Sequence, residues 1–307
     1  MIENVRSLNI VASLVLIVGI VYILGPLYLT LATASQSYEF MLRNGLAWYP
    51  GDQFFTNAAH IFTETHIPIQ MLNSLVVAFG DAFATCVLSL LSAYAIVYFR
   101  VRWAGVAFAL ILATIMLPIE IRVITTYQVA SNVFSPVNAL LDVTGLNDLI
   151  AQYFGAPVKL EWSVLNTHFG LIAPLVAHGT GTFLFRQFFL TLPKDLFKAA
   201  RMDGAGPIRF LFDILLPLSR TSFAALFVLT FLSGWTQYLW PLVAASTPDM
   251  QTAVVGLARL VPDSDGEIPD FPMIMAGAII VSIIPLAMIA LLQRYLVQGL
   301  VLTEKQP

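Results

Sequence analysis

Charged residues are scarce, at 11% of 307, while 58% are hydrophobic. A surface bathed in water needs more charge than that, which excludes a water-soluble globular domain. A net charge of −3 leaves no basic excess to neutralise a phosphate backbone, so nucleic acid is not an expected partner. The single thiol, Cys86, lies in an apolar stretch and can form no internal disulfide. Four histidines, His60, His66, His168 and His178, are scattered without metal-ligand spacing, so no metal site is expected. The sequence has no Gly-x-x-x-x-Gly-Lys-Ser/Thr phosphate loop, no His-Glu-x-x-His and no Gly-x-Ser-x-Gly. Nucleotide hydrolysis by this chain is therefore not expected, and an enzyme is not expected here. A stand-alone secondary transporter is the rival of a different class. It would need inverted repeats or a relay of intramembrane acids, and neither is visible.

Long apolar runs dominate instead, with a mean hydropathy of +0.83. The first covers Leu8–Leu31, about 24 residues after Arg6. It precedes Ala32-Thr33-Ala34, which resembles a signal-peptidase site, but a signal core is only about 7–15 residues, so an uncleaved span is expected. Five further segments follow at Met71–Phe99, Ala104–Ile119, Gly170–Leu192, Ile214–Ala245 and Phe271–Leu296. The second of these five is short and is expected to continue through Glu120 and Arg122 towards Ala130. Six spans with both termini inside place 11 of the 15 Lys and Arg on the inner side, in accord with the positive-inside rule. The outer side keeps Arg43, Arg122, Lys159 and Arg259, together with Asp263, Asp265, Glu267 and Asp270. The expected layout is a first span and outer loop over 1–70, a core of five spans over 71–296, and an inner tail over 297–307. Within the core lie an outer segment of about 133–168 and a loop at 192–218. Ala32–Gln70, with Trp48-Tyr49-Pro50-Gly51, reads as an ordered loop.

Leu192–Leu218 is the most informative stretch. Pro193 and Asp195 suit a helix start. Leu196, Ala199, Ala200 and Met202 give a small apolar face, and Gly204-Ala205-Gly206-Pro207 stops one helix and starts the next. One reading is an amphipathic helix lying on the membrane. The other is a docking elbow. The run resembles the EAA loop of ABC importer permeases at Ala199-Ala200, Asp203-Gly204-Ala205, Phe210, Ile214 and Leu216-Pro217-Leu218. Gly181–Phe189, Gly234–Leu242, Met116–Arg122 and Gln293-Arg294-Tyr295 are similar to the carbohydrate-uptake branch of that family. Within it the similarity is greatest to sn-glycerol-3-phosphate importer permeases.

The resemblance implies an all-α membrane fold of six transmembrane helices, MetI-like, with a cytoplasmic coupling helix. It implies ATPase coupling through Lys198, Ala199, Ala200, Asp203, Gly204, Ala205 and Pro217, in the bacterial inner membrane. The implied partners are a second homologous permease subunit, two ATPase subunits that carry ATP and Mg, a periplasmic solute-binding protein and membrane lipid. No cofactor is implied in this chain. The implied cargo is sn-glycerol-3-phosphate or its diesters, with a neutral sugar as the alternative. Lys198 stands where the family has glutamate, so that acidic contact does not carry over. Thr236 replaces the usual asparagine, and the outer segment up to Asn166 is longer than the family pattern, serving either as a cap or as a binding-protein contact.

An ionisable group inside a span costs about 2.5–3.5 kcal/mol, so it faces a cavity or a partner. Arg122 could attract a phosphate ester and Glu120 a glycerol hydroxyl, or the two form an interfacial pair. Asp81 lines the path or bonds a neighbouring helix. Trp235, Gln237, Tyr238 and Trp240 mix rings with polar tips, which suits a polyol ligand or an aromatic belt. Pro241 is expected to break the helix there. His178 is a packed polar residue or a path residue.

Overall fold

The computed structural model of the chain describes residues 6–301 apart from 47, 100, 116, 117, 177, 178 and 263–267, and side chains except at 6–9, 119, 120 and 296–301. Among the described residues there is no strand. Two compact units form: Met1–Ile69 with Gly256–Ile283, and Gln70–Val255 with Ile284–Pro307. Residues 256–283 thus group with the N-terminal unit.

In the first unit, α1 (Arg6–Ala34) is apolar from Ile10 onward for 25 residues, enough to cross about 30 Å of hydrocarbon. Ala32, Thr33 and Ala34 form its last turn and are buried. The expected ordered loop is present and has a polar centre. Ser35 Oγ accepts from Gly51 N at 2.8 Å, and Gln36 Nε2 donates to Tyr49 O at 2.7 Å. Asn57 Nδ2 donates to the Ala34 and Gln36 carbonyls at 2.9 and 2.8 Å. A Cβ on Gly51 would strike the Ser35 carbonyl, so only glycine fits. Two helices frame this knot, α2 (Tyr38–Asn44), capped by Ser37, and α3 (Phe54–Glu64). Tyr38 Oη donates to Ile268 O at 3.0 Å, tying the two pieces of the unit.

The second unit is built on α4 (Ile67–Tyr98). Its buried stripe is small or polar: Ser74, Ala78, Asp81, Ala82, Thr85, Cys86, Ser89 and Ala93 recur at helical spacing. Its exposed residues include the bulky Leu72, Val76, Phe79, Phe83 and Leu88. This arrangement, large apolar outside and small inside, is what lipid as solvent selects. Helices gain nothing by hiding leucine from hydrocarbon, and small residues let backbones approach. Gly181 shows that approach, since a Cβ there would collide with Ser89 Oγ and Leu226.

The remaining elements of this unit are shorter. α5 (Ala104–Ile115) is followed by α6 (Ile119–Ser131), which Pro118 precedes at the cap position. The expected continuation past Arg122 is therefore a separate helix. Next come α7 (Ser135–Val143) and α8 (Leu146–Phe154), then α9 (His168–Val176) and α10 (Gly179–Thr191). The expected span Gly170–Leu192 is helical in its described residues from 170 to 176 and from 179 to 191. After α11 (Lys194–Met202) and α12 (Pro207–Phe210), one π turn (Leu211–Leu215) leads into α13 (Leu216–Trp235). That turn has a local cause. Pro217 has no N–H to give, and the ladder shifts to an i−5 bond from Leu216 N to Leu211 O. α14 (Leu239–Ala244) and α15 (Ala253–Ala258) precede α16 (Phe271–Val301).

The helix break lies at Thr236–Tyr238, before Pro241, which sits inside α14. The expected interruption is thus present, three residues before Pro241 rather than at it. Proline fits the first turn of a new helix, where its N–H is not needed. Among the described residues, four helices are long and apolar enough to cross a membrane: Ile10–Ala34, Ile67–Tyr98, Pro207–Trp235 and Phe271–Tyr295. The rest of the apolar material is in the shorter helices α5, α6, α9 and α10.

Candidate functional site

The elbow at 192–218 is set by local chemistry. Pro193 occupies the cap of α11 rather than its first helical position, and Asp195 lies in the first turn. At the other end Gly204 adopts φ +78°. Ala205 N donates to Ala200 O at 2.9 Å and Gly204 N to Arg201 O at 3.1 Å. This is the Schellman arrangement, which needs a left-handed residue and so favours glycine. Gly206 then caps α12, and Pro207 is its first residue.

One side of the elbow is packed. Ala200, Phe210, Leu211 and Leu215 are buried with Leu90, Ala93 and Tyr94 of α4 and with Phe185 and Phe189 of α10. Tyr98 contacts the rings of Phe189, Phe197 and Phe210 at 5.9, 5.3 and 5.3 Å between centroids. Phe197 meets Phe210 edge-on at 5.0 Å. Tyr94 Oη donates to Pro207 O at 3.0 Å, fixing where the second helix begins. The other side faces outward. Lys198, Ala199, Asp203 and Gly204 are exposed, Met202 is 82% exposed and Ile208 74%. The expected small apolar face is thus split: Ala200 packs inward, with Leu196 half-buried, while Ala199 and Met202 point out. Phe197 does the anchoring that the sequence reading gave to its neighbours. Lys198 Nζ donates to Asp195 Oδ1 at 2.8 Å. That bond and the adjoining charge hold the Asp195 carboxyl below its usual value and raise Lys198 above its own.

The path candidates lie on α4, α6 and the end of α13. Asp81 is buried in α4 and accepts from Thr85 Oγ1 at 3.1 Å. A Cβ on Gly234 of α13 would lie 3.2 Å from its Oδ2, so α4 and α13 close on one another there. Arg122 is half-buried on α6, and among the described residues no ion pair joins it to Asp81. The side chain of Glu120, and His178 as a whole, lie outside the described residues. Trp235 is 2% exposed and lies parallel to Phe231, with 6.1 Å between centroids. Trp240 is fully buried, and its Nε1 donates to the Gly170 and Leu171 carbonyls at 3.2 Å each. Neither ring forms a lipid-facing belt, and neither is open to a ligand. Gln237 is half-buried and Tyr238 exposed.

A latch that the sequence did not signal lies at the first turns of the second unit. Asn73 Nδ2 donates to Asp249 O and Gln251 O at 2.6 and 3.0 Å, and Asn73 Oδ1 faces His168 Nε2 at 3.0 Å. Gln70 Nε2 donates to Pro248 O at 3.0 Å, and Ala253 N to Ser74 Oγ at 2.8 Å. The available signal was three polar residues at one edge of an apolar helix. The outer segment is ordered as well: Val133 N donates to Trp162 O, Val164 N to Ala130 O, and Asn138 Nδ2 to Leu160 O.

Comparison with known proteins gives the family. Residues 86–301 match the family model described as the binding-protein-dependent transport system inner membrane component. The sn-glycerol-3-phosphate transport system permease protein UgpE of Yersinia pestis bv. Antiqua is 40% identical, covering 99% of this chain and all of that protein. The protein of the same name from Agrobacterium fabrum is 39% identical at the same coverage. A bacterial ABC transporter that imports the acidic polysaccharide alginate has a chain of like fold, with a TM-score of 0.71, 20% identity, and coverage of 96% of this chain and 98% of that one. The helical fold is therefore MetI-like, and this chain belongs to the family of binding-protein-dependent transport system inner membrane components.

Proposed function

We propose that this chain is one permease half of an ATP-driven importer for sn-glycerol-3-phosphate or its diesters, and that the elbow at 192–218 receives the force. The observation that carries the reading is the two-sided build of the elbow. An aromatic clamp welds it to α4 and α10, while Lys198, Ala199, Met202, Asp203 and Gly204 face outward. A partner that pushes on the outward side would move the helices behind the clamp as one body. ATP and Mg sit on two ATPase subunits that grip this side, which is then cytoplasmic, as are both termini. A second, homologous permease completes the path, and a periplasmic binding protein delivers the cargo. The names of the full-length relatives support the cargo. Arg122 is the residue assigned to the phosphate, because a guanidinium forks onto phosphate oxygens.

The test is ATP hydrolysis by the reconstituted complex with its binding protein. sn-Glycerol-3-phosphate is expected to stimulate it and maltose not. Stimulation by maltose alone overturns the cargo and leaves the permease role. Arg122→Ala is expected to raise the half-saturating concentration for uptake by about tenfold or more, the worth of a charge-assisted bond. An unchanged value returns Arg122 to the membrane interface.

A further inference from the structure

We infer that a groove between α4, α5 and α10 holds an anionic phospholipid, its phosphate on Arg186. The groove encloses about 190 Å³ and is lined by Ile96, Val97, Ala104, Gly105, Phe108, Leu190 and Arg186. The side chains that line it are apolar apart from one cation. The Arg186 guanidinium lies 4.2 Å from the centroid of the ring of Phe108, which lines the same groove, so the cation is held against its wall. Among the described residues no carboxylate lies within ion-pair distance of Arg186. Arg102 and Trp103 stand exposed at the start of α5, beside the groove. A tryptophan and an arginine at a helix end are the side chains that settle at the headgroup level of a bilayer.

An unpaired cation above an apolar slot selects a ligand with one negative charge and a hydrocarbon tail. Basic pockets between membrane helices recognise acidic headgroups on this pattern. A zwitterionic lipid fills the slot equally well but brings an ammonium close to Arg186, so the charge decides between them. α5 and α10 touch further along, where a Cβ on Gly179 would strike the Ile111 carbonyl. The groove therefore narrows there, and the tail lies along its open side. This inference stands apart from the transport reading, since it needs only a membrane around the chain.

The experiment is native mass spectrometry of the full assembly released from nanodiscs of phosphatidylglycerol mixed with phosphatidylcholine. Wild type is expected to retain phosphatidylglycerol with a roughly five-fold preference, the worth of one basic residue at a charged surface. Arg186→Gln is expected to lose the preference and Arg186→Lys to keep most of it. Gly105→Leu keeps the cation but puts a side chain into the slot, where a Cβ meets nothing within 4 Å. It is expected to lower retention of both lipids. Added inorganic phosphate is expected to compete weakly, since it lacks the tail. Equal retention of the two lipids by wild type, or an unchanged preference in Arg186→Gln, overturns the inference. So does a photo-crosslinker at Leu190 that labels a second polypeptide in place of lipid.

Discussion

α4 holds chain at both of its ends, with different chemistry at each. At its first turns Gln70, Asn73 and Ser74 bind the backbone of 248–253 through directed hydrogen bonds. At its last turns Tyr94 and Tyr98 grip the elbow through rings, with one hydrogen bond to Pro207 O. A hydrogen bond weakens steeply once its angle is lost, so the polar end fixes one register. Ring contacts are broad in angle and collectively strong, so the aromatic end keeps its grip while the elbow tilts. On the function proposed above, one helix then serves as a fixed mount at one end and as a transmission at the other.

The sharpest way to break the contrast is at Gly204. Gly204→Val forces a β-branched residue to φ +78°, although a Cβ there meets no neighbour within 4 Å. The strain is thus in the backbone alone, about 1–2 kcal/mol or more, and it undoes the turn that sets the angle between α11 and α12. Uptake is expected to be lost while membrane insertion persists, and Gly204→Asn is expected to restore part of it. Unimpaired uptake in the valine variant removes the coupling role.

Phe210→Ala is expected next, at about 3–5 kcal/mol of local stability. Phe210 is 1% exposed and touches Tyr94, Tyr98 and Phe197. Amide exchange is expected to rise across 194–212 and to stay unchanged at 248–253. Asn73→Ala is the converse, at about 2–4 kcal/mol, because it strips the donor from two carbonyls. Exchange is expected to rise at 248–253 and not at the elbow. If either variant loosens both ends together, the ends are not independent and the contrast fails.

The two ends were not equally legible in the sequence. The elbow is written within 27 residues, since Gly204, Gly206 and Pro207 dictate the turn and their spacing shows it. What remained hidden there was orientation: Met202 was read into the apolar face, yet it is 82% exposed, and Phe197 points inward instead. The cause is that α11 is only nine residues long, and its docking surface is chosen by Tyr98 and Phe210 rather than by its own periodicity. The latch could not be read, because Asn73 and Gln251 are 178 positions apart. Trp235 and Trp240 failed for a related reason. A tryptophan suits a belt, a ligand or a core alike, and only the α9 carbonyls beside Trp240 decide in favour of the core. Four of the six expected spans coincide with long apolar helices among the described residues, and the expected continuation of the third is interrupted at Pro118.

The smallest structural effect is expected at Lys198, and it separates fold from function at the elbow. Lys198 and Asp195 form an exposed pair three residues apart. The Asp195 carboxyl is depressed, so whatever the pair adds is present above its unfolded value and lost as pH falls through the folded one. Lys198 is raised, so its share is present below its unfolded value and lost as pH rises through the folded one. Water screens both side chains completely, and the pair does not set the stability of α11. Lys198→Glu is therefore expected to leave exchange across 194–212 unchanged. A change in cargo-stimulated ATP hydrolysis in that variant would then come from the exposed surface proposed to meet an ATPase, not from a loosened elbow. If hydrolysis is also unchanged, docking rests on the shape that Gly204 and the aromatic clamp impose, and the charge at this position is free to vary.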